Sequence, residues 1–189
     1  MIKVKQPADI YAYQMKVTLE DSKPPIWRRI QVTSATALYR LHKILQVVMG
    51  WSDYHLHEFI IDNMHYGEPS QDYAFKMKND KTMKLGQVIS GEGTKFAYIY
   101  DFGDNWYHKI LVEKILPLEP DKHYPICLKG KRACPPEDCG GIHGYYGFVD
   151  AIQHPNHLEH DDMLEWVGGS FDPEAFDLNE INQKLRKIR

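Results

Sequence analysis

From Tyr11 to Leu19 the chain alternates, with Tyr11, Tyr13, Met15, Val17 and Leu19 separated by Ala12, Gln14, Lys16 and Thr18. A period of two sustained this long describes a strand with one face on a core and the other toward solvent. Pro24-Pro25 breaks the run, and Ile26 to Val32 reads as a second strand whose short connection makes it an antiparallel neighbour. Any fold for this chain must therefore cover one side of an antiparallel sheet.

The next segment supplies the cover. Leu38, Leu41, Leu45 and Val48 recur at helical spacing, with Ser34 or Thr36 available as N-cap and Gly50 as the stop. His55 to Ile61 is strand-like, and Met64 to Gly67 is its short return. Thr82 to Ile89 predicts a brief helix. Lys95 to Asp101 and Trp106 to Ile115 form a hairpin around Phe102-Gly103-Asp104-Asn105. The order β-β-α-β-β-α-β-β is that of a layered, mostly antiparallel α+β protein.

After Leu116 the texture changes. Pro117, Pro120, Pro125, Pro135 and Pro136, with Gly130, Gly140, Gly141 and Gly144, predict a long irregular loop. Helices are expected at Tyr145 to Gln153, at Leu158 to Val167, and from Asp177, an N-cap with Glu180 three residues on. One domain is expected, with a sheet-and-helix body over about 10–116, a loop over 117–144 and a helical part over 145–189.

Composition bounds the function classes. The chain has 189 residues, 43% hydrophobic and 12% aromatic, which excludes a disordered chain. With 23 basic and 26 acidic side chains the formal net charge is −3, so composition argues against general phosphate-backbone binding. The segment Met1 to Pro7 has no apolar run after its charges, and Ile44 to Met49 is far shorter than the roughly 20 residues a membrane span needs. Three cysteines within one segment do not read as a disulfide framework. A cytoplasmic protein with no membrane partner is expected.

Four groups carry candidate chemistry. Cys127, Cys134, Cys139 and His143 have the donor types of a zinc site, but Pro135-Pro136 stiffens the middle pair apart and no C-x2-C knuckle exists, so small cysteines packing a loop is the preferred reading. The hairpin places Asp101 and Asp104 near Trp106 and His108, where carboxylates could orient an imidazole or join it in holding a hard cation. His55 and His57, two apart in an expected strand, would share a face. Arg132 could bind an anion beside Glu137 and Asp138, and Gly140-Gly141 most simply serve turns with positive φ. The basic tail Lys184, Arg186, Lys187 and Arg189 reads as the solvated end of a helix.

Several segments together resemble a known family. They are Pro24-Pro25-Ile26-Trp27-Arg28-Arg29, Leu41-His42 with Met49-Gly50-Trp51, and His55-Leu56-His57-x-Phe59. Tyr100-Asp101-Phe102-Gly103-Asp104-x-Trp106-x-His108, Cys134-Pro135-Pro136-Glu137-Asp138-Cys139-Gly140-Gly141 and Phe171-Asp172-Pro173-Glu174-x-Phe176-Asp177 complete the set. This pattern resembles the plasmid pRiA4b ORF-3-like family, largely uncharacterised proteins of which some carry mobile-element passenger or resolvase labels. The resemblance implies an α+β domain in which the three unusual segments belong together. The expected function is a ligand- or anion-binding module for a small molecule or protein, its cleft lined by His55, His57, Asp101, Asp104, Trp106, His108, Arg132, Glu137 and Asp138. A metal-dependent hydrolase-like enzyme and a DNA-contacting accessory protein are the alternatives.

Overall fold

The computed structural model describes residues 10–70 and 76–188; the N-terminal segment Met1 to Pro7 and Arg189 of the basic tail lie outside them. Eight strands form one sheet: β1 (Tyr11–Leu19), β2 (Trp27–Thr33), β3 (His57–Ile61), β4 (Met64–Gly67), β5 (Met77–Asn79), β6 (Lys95–Tyr100), β7 (Trp106–Pro117) and β8 (Ile126–Lys131). The helices are α1 (Leu38–Met49), α2 (Leu85–Val88), α3 (Gly141–Gln153), α4 (His160–Trp166) and α5 (Leu178–Leu185). Across the sheet the order is β5-β4-β3-β6-β7-β1-β2-β8. Only β4 and β5 run parallel to each other.

The alternation of β1 fixes which face is dry. Tyr13, Met15, Val17 and Leu19 are at most 2% exposed, while Gln14, Lys16 and Thr18 are half-buried on the other side. Leu38, Leu41, Ile44, Leu45 and Val48 of α1 join them in one hydrophobic cluster with Ile30, Val32, Phe59, Tyr98, Ile110 and Val112. Each such side chain contributes about 1.5–3 kcal/mol by leaving water. A one-residue slip of β1 would exchange its faces, so this burial also sets the register Met15–Ile30 and Val17–Ile110.

Several details depart from the sequence reading. Neither Ser34 nor Thr36 caps α1; Ala37 precedes it, and the Leu38 N–H donates instead to the carbonyl of Met83, 2.9 Å away. Ser34 Oγ accepts from the Tyr11 N–H, and the Thr36 hydroxyl pairs with that of Thr33. β3 starts at His57, not His55. The loop expected over 117–144 contains β8, an edge strand hydrogen-bonded to β2, and its last four residues already belong to α3, which starts at Gly141 rather than Tyr145. Flanking Pro125, internal Gly130 and exposed Lys129 and Lys131 are the residues that edge strands tolerate, and they hide it from a search for alternating apolar positions. Asp177 caps α5 as expected, accepting from the N–H groups of Asn179 and Glu180 at 2.9 Å.

Arg28, 2% exposed, ties the elements over β2 together. Its Nε donates to the Val48 carbonyl of α1 at 2.7 Å, and its Nη1 donates to the carbonyls of Trp27 at 2.9 Å and Lys131 at 3.0 Å. The guanidinium also lies 4.9 Å from the Phe176 ring. Replacing Arg28 with Met keeps the aliphatic stem but removes the buried donors. Urea unfolding should report a loss of about 2–4 kcal/mol.

Candidate functional site

Three loops meet at the end of the sheet where β6 turns into β7. The hairpin turn is built by Asp101, whose φ is +57° and whose Oδ1 accepts from the N–H groups of Gly103 (2.9 Å) and Asp104 (3.4 Å). This leaves Oδ2 for another partner. It stands 3.6 Å from Nε2 of His55. Oδ1 of Asp138 is 3.2 Å from the same nitrogen. Asp138 also has a positive φ, +60°.

The Pro135–Gly140 segment is pinned over this turn. Trp51 Nε1 donates to the Pro135 carbonyl, and Glu137 accepts from the Ser52 N–H (3.0 Å) and the Tyr100 hydroxyl (2.5 Å). The same hydroxyl accepts from the Tyr54 and His55 N–H groups. Burial and the Glu137 carboxylate hold the Tyr100 phenol protonated far beyond its ordinary range. Asp104 Oδ2 accepts from the Gly140 N–H at 3.2 Å. Gly140 and Gly141 have φ of +85° and +68°, and a Cβ on Gly141 would lie 2.6 Å from the Asp104 carbonyl oxygen. Their glycines are thus required for the close approach to the hairpin.

His55, Asp101 and Asp138 offer ligand atoms within 4.8 Å of one another, the one such grouping of three or more metal-capable side chains among the described residues. His55 Nε2 is shielded from solvent and makes no hydrogen bond: Asp138 is near but off the line of an N–H bond. A cleft of about 420 Å3 between α3 and α4 begins at Asp138 and is lined by Phe148, Met163 and Trp166.

Other candidate residues lie elsewhere. His57 does not share a site with His55; its ring stacks on His42 at 3.5 Å and 3°, and its Nε2 is 2.9 Å from Asp80. His42 is in turn held by Asp53 at 2.6 Å and the Tyr98 hydroxyl at 2.8 Å. His55 precedes β3, so strand alternation never applied to it. His108 and Trp106 are buried at 0% and 1%, inside the core rather than along a cleft. Arg132 donates to the Pro24 carbonyl and pairs with Glu174 at 2.8 Å, so its charge is already engaged. Cys127, Cys134, Cys139 and His143 are not gathered as a ligand set. Burial pushes the Cys127 thiol up to about 11 and that of Cys139 up to about 12, and raises Cys134 further, which keeps all three protonated and poor as ligands.

Sequence reasoning missed His42, Asp53 and Asp80, although all three are buried or half-buried polar groups. The two His–Asp pairs clamp both ends of the Asp53–His57 segment and so fix where His55 points. The pairing of His42 with Leu41 inside an apolar helical stripe was the available signal.

The family model for plasmid pRiA4b ORF-3-like proteins matches residues 11–180. The chain belongs to this family. It is similar to the uncharacterized protein y4hQ of Sinorhizobium fredii (strain NBRC 101917 / NGR234), with 36% identity over 91% of this chain and 89% of the relative. It is also similar to a protein of unknown function, MM3350 from Methanosarcina mazei Go1, known from a crystal structure. There the TM-score is 0.84 and the identity 39%, over 91% of this chain and 98% of that one. The three loops that meet around His55 all lie within the matched residues.

Burial pulls the pKa of His42 down to about 4, reinforced by the neighbouring His57 and opposed by Asp53; burial does the same to His108. Both rings are neutral when folded and bind protons more readily when unfolded, where the pKa is about 6.5. Stability is then complete above pH 6.5 and falls as pH drops toward 4, at up to about 1.4 kcal/mol per pH unit for each ring. Urea midpoints measured from pH 7 to 4 should show this slope. The slope should be shallower in His108→Gln.

Proposed function

We propose that the protein is a ligand-binding module whose centre is a divalent cation held by His55, Asp101 and Asp138. The observation that supports this reading is the shielded Nε2 of His55, without a hydrogen bond and flanked by two carboxylate oxygens. An imidazole lone pair between two carboxylates is a donor set for Zn2+ or Mn2+, harder than a thiolate site and softer than an all-oxygen one. Three protein ligands leave coordination positions for an outside molecule. The apolar cleft that starts at Asp138 favours a small organic ligand with an oxygen donor at one end and an apolar body at the other. An anion held by Arg132 alone is not the preferred reading, because its charge is already paired with Glu174 and its Nη1 donates to the Pro24 carbonyl.

Thermal unfolding with added Zn2+ or Mn2+ tests the cation centre. At a hundredfold excess over Kd the midpoint should rise by about 5–10 °C. Asp101→Asn keeps the Oδ1 acceptor and the tolerance of positive φ that the turn needs, but it removes the charged ligand. This variant should fold normally and lose most of the metal-dependent rise. An equal rise in the variant, or none in the unsubstituted protein at millimolar metal, would falsify the centre.

A further inference from the structure

The solvent-facing side of the sheet carries a pattern that the net charge of −3 conceals. Registered neighbours across five strands place Lys129 opposite Arg29, Arg29 opposite Lys16, Lys16 opposite Leu111 and Leu111 opposite Lys95. A second row runs Lys131, Trp27, Thr18 and Lys109. Adjacent strands are about 4.8 Å apart, so cations stand side by side where like charges oppose sheet formation. Glu113, bidentate to Arg29 at 2.7 and 2.8 Å, offsets one of them, and Glu20 pairs with Lys109. Lys95, Lys129 and Lys131 are exposed and have no ion pair among the described residues. Two half-exposed aromatic rings sit within the array. Trp27 has Lys16 at 5.3 Å and Arg29 at 5.4 Å over its ring, and Tyr107 lines a groove of about 710 Å3 with Lys16, Lys95 and Lys109. Asp62 at the rim of that groove is its acidic member.

We infer that this open face of β8, β2, β1, β7 and β6 binds single-stranded nucleic acid. Rows of cations at strand spacing can follow a flexible phosphate backbone, while Trp27 and Tyr107 offer stacking surfaces to unpaired bases. A duplex keeps its bases stacked on one another and leaves the aromatics unused. The cations belong to a face remote in chemistry from the carboxylate-rich His55 cluster, so the inference stands apart from the cation centre. Composition cannot reveal such a stripe, because acidic residues elsewhere in the chain cancel its charge in the sum.

The test is fluorescence-anisotropy titration of the full chain with a labelled oligothymidylate. Binding is expected at 50 mM salt, with a log–log salt slope of about −2 to −3 for three or four neutralised phosphates. The double variant Lys95→Glu, Lys129→Glu changes two exposed side chains and should weaken binding at least tenfold with an unchanged melting temperature. Lys187→Glu, in the basic C-terminal tail, should bind like the unsubstituted protein. The inference is overturned by no binding at 50 mM salt or by equal binding of the double variant. It is equally overturned if Lys187→Glu causes the same loss, if a duplex of the same length binds as tightly, or if polyglutamate competes as well as the oligonucleotide.

Discussion

One buried cation holds the architecture together. Arg28 projects from β2 into the core and spends its donors on carbonyls of three places in the chain: its own strand, the edge strand β8 and the last turn of α1. The carbonyl end of a helix carries partial negative charge, so a guanidinium there is favoured even at 2% exposure. Burial still pulls its pKa below the ordinary value. Gly130 makes the arrangement possible. A Cβ at that position would lie 2.8 Å from Arg28 Cδ and collide with the Phe176 ring that stacks on the guanidinium. One ion thereby registers β8 on β2, seats α1 on the sheet and brings in the segment leading to α5.

The same logic of satisfied buried polar groups runs along the sheet to the loops. Tyr98 lies in the core, and its hydroxyl is shared by His42 and by Gln46. Gln46 accepts from the Asp53 N–H in return, and Asp53 also pairs with Lys43. Through this network α1 dictates the path of the chain from Trp51 to His57. Tyr100, one strand position pair further on, continues it by joining Glu137 to the backbone of Tyr54 and His55. The His55 cluster is therefore positioned from beneath by residues that do not belong to it.

The body of the fold was legible in the sequence because its signals are local. The β1 alternation, the α1 stripe closing on Gly50 and the Gly-containing turn after Asp101 each draw on a few neighbouring residues, and all appear where expected. The edge strands β5 and β8 were not legible. Edges are short, charged and interrupted by Pro or Gly so that they do not pair with other chains, and those traits erase the pattern that marks a strand. Of the candidate residues, His55, Asp101, Asp104, Glu137 and Asp138 meet at one place. His57, Trp106, His108 and Arg132 do not, because His57 and the two residues of β7 face the core and Arg132 turns to Pro24 and Glu174.

Sequence alone determined that an antiparallel sheet must be covered on one side, since alternation leaves no other use for nine residues of β1. It also determined which residue types were available for chemistry, and in which three segments. Only the tertiary structure decided which of them meet. His55 and His57 are two positions apart yet serve different partners, because β3 begins at the second and the stacked His42 claims it. Asp101 and Asp138 are far apart in the chain yet share one imidazole nitrogen, because the hairpin turn and the glycine-bearing loop are hydrogen-bonded to each other. The gathering of six cations on one face was likewise decided by strand order, which places β8, β2 and β1 side by side although β8 lies some hundred residues beyond them. Composition sums charges, whereas the sheet sorts them by face.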